Sequence, residues 1–112
     1  MKIDIKKLSD ELGLSYEIDE TQTIHCTYCD CYILRYRPMS VTKTFDDTIF
    51  YKTRLSDEEG VLCFDNFKPV YNYESNYNFL KNELIKTINK FKLEKIEKRK
   101  TDLCKDFYWQ IR

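Results

Sequence analysis

The sequence predicts an α+β fold. It reads as a short N-terminal helix, an antiparallel β-meander of about 4–5 strands and a long C-terminal helix. Two changes of period carry this reading. Apolar residues are spaced by three and four at the start of the chain, by two through its middle, and by three and four again from about Ser75. The 112 residues suffice for one core, so residues 1–112 are expected to form a single domain. Within it, 3–13 reads as helix, 15–64 as antiparallel sheet and 75–111 as a helical segment.

Ile5, Leu8 and Leu12 share one helical face, Asp4 supplies an N-cap, and Gly13 stops the helix. Period two then takes over at Tyr16 and Ile18, at Ile24, Cys26 and Tyr28, and at Tyr32, Leu34 and Tyr36. Asp19-Glu20-Thr21-Gln22 reads as the first turn, and Pro38 closes the run. Val41 to Phe45, Thr48 to Leu55 and Val61 to Phe64 read as further strands, with a turn at Asp46-Asp47 and a loop over Ser56 to Gly60. Tyr77, Leu80, Leu84, Ile88 and Phe91 form one helical stripe. Leu93, Ile96, Leu103, Phe107 and Ile111 form another, about 140° around the same helix at 100° per residue. One straight helix does not turn both stripes to one sheet, so either the helix breaks near residues 97–102, the outcome the polar block EKRKTD favours, or the second stripe meets another surface.

Ile5-Lys6-Lys7-Leu8-Ser9-Asp10-Glu11-Leu12-Gly13-Leu14-Ser15 resembles the first helix and turn of a helix-turn-helix motif. That motif implies a recognition helix next. Tyr16-x-Ile18 reads as strand instead, so the resemblance ends at Ser15.

Composition narrows the function classes. The chain holds 19 basic and 19 acidic residues, which excludes a uniformly basic nucleic-acid coat. The balance is uneven, with a net charge of −5 over residues 1–80 and +5 over residues 81–112. The sequence lacks alanine, has two glycines and two prolines, and is rich in Lys, Ile, Tyr and Phe, which fits an AT-rich genome. Two glycines also exclude a Gly-rich phosphate loop. Residues 1–12 carry acids and lysines without an apolar run, and no stretch has the length of a membrane span, so a cytoplasmic, membrane-free protein is expected. In that reducing compartment the five cysteines are expected to be thiols or metal ligands.

Four chemistries deserve weighing. Cys26-x2-Cys29 has the spacing at which two thiolates wrap one zinc ion, with Cys31 or His25 as a third ligand and Cys63 or Cys104 as a fourth. The plainer reading makes Cys26, Cys29 and Cys31 small buried hydrophobes, and no cofactor is expected. Cysteine–histidine catalysis would need His25, the single histidine, to meet Cys63 or Cys104 through the fold. Asp46-Asp47 and Asp57-Glu58-Glu59 fall in turns, where acids are usually solvated. Arg35, Tyr36, Arg37, Lys43, Lys52 and Arg54, with Tyr32, Phe50 and Tyr51, interleave cations and aromatics as single-strand nucleic-acid platforms do. The basic stretch Lys90 to Lys105 offers a second phosphate contact.

The leading expectation is a non-catalytic binding protein acting on a protein partner or a second copy of itself, in the manner of a regulator or inhibitor from a phage or mobile element. Leu93, Ile96, Leu103, Phe107, Trp109 and Ile111 are its candidate contact residues, an apolar stripe beyond what a small sheet covers. A nucleic-acid-binding module, with or without zinc, is the alternative.

Overall fold

The structure, a computed structural model, describes residues 2–37 and 48–111, with residues 98–111 described by their backbone. The expected α+β architecture is present. Helix α1 (Ile5–Leu12) precedes strands β1 (Ser15–Ile18), β2 (Ile24–Tyr28), β3 (Cys31–Tyr36), β4 (Thr48–Glu58) and β5 (Val61–Tyr71). A 3-10 turn (Glu74–Asn76) then leads into helix α2 (Tyr77–Ile111). The strands lie side by side in chain order, each antiparallel to the next. No helix among the described residues is long and apolar enough to cross a membrane.

Helix α1 begins and ends as its sequence dictates. The Asp4 carboxylate accepts from the Lys7 backbone N–H at 3.1 Å, satisfying one orphan donor of the first turn. Gly13 closes the helix at φ 68°, a left-handed conformation that costs other residues strain. The buried face carries Ile5, Leu8 and Ser9. Ser9 donates to the Ile5 carbonyl at 2.9 Å and lies 3.1 Å from Cys26 Sγ, tying α1 to β2. Strand β1 follows at Ser15, where a helix-turn-helix would place its recognition helix.

The hairpin turns show how a glycine-poor chain manages. Cys29 and Asp30, at φ 51° and 65°, join β2 to β3, while Glu59 and Gly60, at φ 51° and 84°, join β4 to β5. Two-residue hairpin loops of type I′ require positive φ at both positions, as seen in both turns. At the β1–β2 turn, Asp19 Oδ1 accepts from the Thr21 and Thr23 backbone N–H groups at 2.8 and 3.0 Å. A side chain there replaces missing backbone partners.

Two strand boundaries differ from expectation. The Ser56–Gly60 loop shrinks to the Glu59-Gly60 turn, because β4 continues through Glu58 and pairs with a β5 that starts at Val61. Strand β5 runs to Tyr71, well past Phe64, despite Asn66 and Pro69. It is an edge strand, where a residue without an N–H is tolerated. The expected strand at Val41–Phe45 and turn at Asp46-Asp47 lie outside the described residues.

A slip in register between Cys26 and Thr27 shapes the middle of the sheet. Cys26 opposes Leu34, whereas Thr27 opposes Tyr32, so Ile33 is an extra residue on β3. Ile33 and Leu34 are consequently both buried, while Tyr32 and Arg35 on either side of them are exposed. Tyr32 thus leaves the core, against the simple alternation read from the sequence.

The core lies between one sheet face and the helices. It contains Cys26, Leu34, Tyr36, Ile49, Tyr51, Phe64 and Val70 from the strands, with Leu80, Leu84, Ile88 and Phe91 from α2. Burying each such aliphatic or Phe side chain contributes about 1.5–3 kcal/mol. Tyr28, Phe64 and Phe91 form an aromatic knot, with Phe64 and Phe91 centroids 4.9 Å apart. Buried Asn72 accepts from the Ile3 N–H at 2.7 Å, and Lys81 pairs with Glu11 at 2.6 Å, so both chain and helix tie α1 to the start of α2.

Helix α2 is continuous from Tyr77 to Ile111, and the break expected near residues 97–102 is absent. The EKRKTD block holds neither Gly nor Pro, and Glu, Lys and Arg are good helix formers. Polarity alone does not end a helix.

Candidate functional site

Three regions carry the candidate residues: the distal part of α2, the sheet face opposite the helices, and the cysteines. On α2 the first stripe packs onto the sheet and the second does not. Leu93 and Ile96 are 64% and 50% exposed. Every residue from Lys92 to Glu97 is exposed, so the helix carries Leu93 and Ile96 into solvent once it passes Phe91. The side chains of Leu103, Phe107, Trp109 and Ile111 lie outside the described residues. A groove of about 260 Å³ opens where the helix leaves the sheet, lined by Tyr28, Cys29, Phe91, Lys92, Lys95 and Ile96. Lys95 Nζ sits 5.2 Å from the Phe91 ring centroid, so the groove has an apolar floor and a basic rim.

The open sheet face collects part of the expected aromatic–basic set. His25 opposes Arg35, Arg35 opposes Phe50, and Phe50 opposes Pro69 across β2 to β5. Lys52 opposes Phe67. The Arg35 guanidinium lies 4.8 Å from the Phe67 centroid and 5.6 Å from that of Phe50, and Lys52 Nζ lies 4.9 Å from Phe67. Tyr71 stacks on Tyr73 at 5.9 Å, both exposed. Tyr36 and Tyr51 are not part of this face. They are 5% and 4% exposed and belong to the core, because they alternate with Arg35 and Phe50 along their strands. Arg37 is exposed at the end of β3, Arg54 stands opposite Asp65, and Lys43 lies outside the described residues. Phe67 and Tyr71 were not among the expected members, since the strand that carries them was read only as far as Phe64.

His25 is engaged on the same face. Its Nε2 lies 2.8 Å from Asp19 Oδ2, and its ring meets Tyr32 edge-on at 5.5 Å. Hydrogen bonds from the Thr21 hydroxyl, from His25 and from the Thr23 N–H hold the Asp19 carboxyl well below the usual range. These contacts fasten the β1–β2 turn. Of the two cysteines expected to meet His25, Cys63 lies against Cys31 instead, and the side chain of Cys104 lies outside the described residues.

The three candidate metal ligands lie in different settings. Cys26 Sγ is fully buried beside Ser9, and burial pushes its thiol pKa up. Cys29 is exposed on the β2–β3 turn, and Cys31 is buried against Cys63. No group of three or more His, Cys, Asp or Glu side chains suited to a metal ion occurs among the described residues. The C-x2-C spacing runs from the middle of β2 to the hairpin turn that follows it. Cys26 faces α1.

The chain matches no protein-family model, no curated protein and no solved structure in the comparisons made. Its candidate sites rest on their own geometry.

Proposed function

We propose that this is a non-catalytic binding protein that presents the distal part of α2 to an acidic, apolar groove on a protein partner. The observation that carries this reading is the exposure of Leu93 and Ile96 at the point where the helix passes the edge of the core. Amphipathic helices dock by such anchors at i and i+3, and the sequence continues the stripe at Leu103, Phe107 and Ile111. Charge selects the kind of partner. Residues 90–105 hold 7 basic and 3 acidic side chains, so two copies of this segment side by side repel, and an acidic surface attracts it. A cytoplasmic regulator or inhibitor carried by a phage or mobile element fits this reading and the AT-biased composition.

The test compares affinity capture from the native host by the wild-type chain and by a Leu93→Asp/Ile96→Asp variant. A captured protein that, once purified, binds the wild type one-to-one and the variant at least about tenfold more weakly supports the proposal. Capture unaffected by the double substitution overturns it.

A second reading, single-stranded nucleic acid on the open sheet face, is favoured by one arrangement: Arg35 and Lys52 packed over Phe50 and Phe67. Its test is fluorescence anisotropy with labelled oligo(dT) over a salt series. Binding that falls steeply with salt and is lost in Arg35→Ala/Lys52→Ala supports it. No binding at low salt removes it.

A further inference from the structure

We infer that Cys31 and Cys63 are a modification site: a dithiol that a small-molecule disulfide oxidises to an intramolecular Cys31–Cys63 bond. The two sulfurs lie 2.6 Å apart, 32 residues apart in sequence. They sit on β3 and β5, which are not neighbours in the sheet, so the β4–β5 hairpin curls over the start of β3 to bring them together. Two thiol groups already this close need little movement of the backbone to bond. The Cys31 thiol also donates to the Leu62 carbonyl at 3.3 Å, which holds it in place beside Cys63. The remaining described thiols are placed otherwise, Cys26 in the core beside Ser9 and Cys29 exposed on its turn.

Access sets the order of events. Cys31 is buried, and Cys63 is half-buried and lines an open depression with Ser56, Glu58, Glu59 and Val61. Burial, with the Cys63 sulfur next to it, pushes the Cys31 thiol well above the ordinary range and keeps it protonated. Cys63 is therefore the first to react. Its thiolate attacks one sulfur of the small disulfide, the S–S bond breaks, and one half leaves as a thiolate that takes up a proton. Cys31 then loses its proton to solvent and attacks Cys63 Sγ, expelling the second half, which is protonated in turn. The protein gives up two electrons and two protons, and the disulfide becomes two thiols. The glutamates at the depression disfavour an anionic oxidant, so a neutral disulfide is the better reagent.

The test treats the full chain with hydroxyethyl disulfide and maps thiols by mass spectrometry. The expected product has lost two hydrogens, retains three of its five thiols, and yields a Cys31–Cys63 cross-linked peptide. The cross-link raises Tm by roughly 10 °C, because it closes a long loop in the unfolded chain. It is absent from Cys63→Ser, a substitution at a half-buried position, and kept in Cys29→Ser. A mixed disulfide that stays on Cys63 with Cys31 still free overturns the inference. So does a Cys29–Cys31 bond that forms equally in Cys63→Ser. The mapping on the wild-type chain stands even where a variant fails to fold. The cross-link is read by thiol mapping and the helix proposal by partner binding, so either can fail without the other.

Discussion

Between Tyr77 and Phe91, α2 turns Leu80, Leu84, Ile88 and Phe91 onto the sheet, and all four are 5% exposed or less. From Lys92 to Glu97 the same helix is exposed at every position, Leu93 and Ile96 included. Both parts have apolar side chains at helical spacing, and one continuous helix carries both. What differs is the angle at which each stripe leaves that backbone and whether any strand remains beneath it. Helical periodicity therefore reports that a face exists to be buried, and the sheet decides whether this chain buries it itself.

The largest expected effect lies in the packed part. Leu84 is fully buried at the centre of the helix–sheet contact. Leu84→Ala is expected to cost about 2–5 kcal/mol, by lost burial and by the cavity left behind. Urea unfolding at unchanged slope measures it. A loss below 1 kcal/mol would mean that the proximal stripe is as loosely held as the distal one, and the comparison would collapse.

A second expectation follows from the carboxylates that fasten this packed region. Glu11 is held below its ordinary pKa of 4.5 by Lys81 and Tyr77, and Asp19 below 3.8 by Thr21, His25 and Thr23. A carboxylate whose folded pKa is depressed stabilises the fold above its unfolded pKa, and that contribution fades as pH falls through the folded value. Stability should therefore be level above about pH 5 and decline progressively below it. Asp19→Asn and Lys81→Gln should each lower Tm at pH 7 and flatten the acid limb. An acid limb equally steep in both variants would place the acid-sensitive groups elsewhere.

These anchors also show which parts of the fold were readable in advance. The proximal stripe, the Asp4 cap and the Gly13 stop were legible because each is a local rule acting on neighbouring residues. Helix α2's continuity was not, since a polar block looks like a boundary although its residues favour helix. Tyr32 was misplaced by a single extra residue on β3, a bulge that no period-two pattern announces. The far half of β5 was hidden because Pro69 is acceptable only on an edge strand, and edge status belongs to the whole sheet. The candidate sites divide the same way. Leu93 and Ile96 were readable as a stripe, whereas the meeting of Cys31 with Cys63 depends on how a long hairpin curls.

The smallest expected effect is the most telling for the comparison. Leu93→Ala and Ile96→Ala remove aliphatic side chains similar to those of Leu84 and Ile88, from the same helix. Both native side chains already stand in water, so truncation forfeits little burial and opens no cavity. Ala also has the higher helix propensity, which offsets part of what is lost. Each variant should stay within about 0.5 kcal/mol of the parent, at a midpoint independent of protein concentration. A loss above about 1 kcal/mol that grows as the protein is concentrated would mean that copies of the chain already cover this stripe in solution. The groove of an acidic partner would then have a competitor, and the repulsion expected between basic helices would have been outweighed by the apolar surface they share.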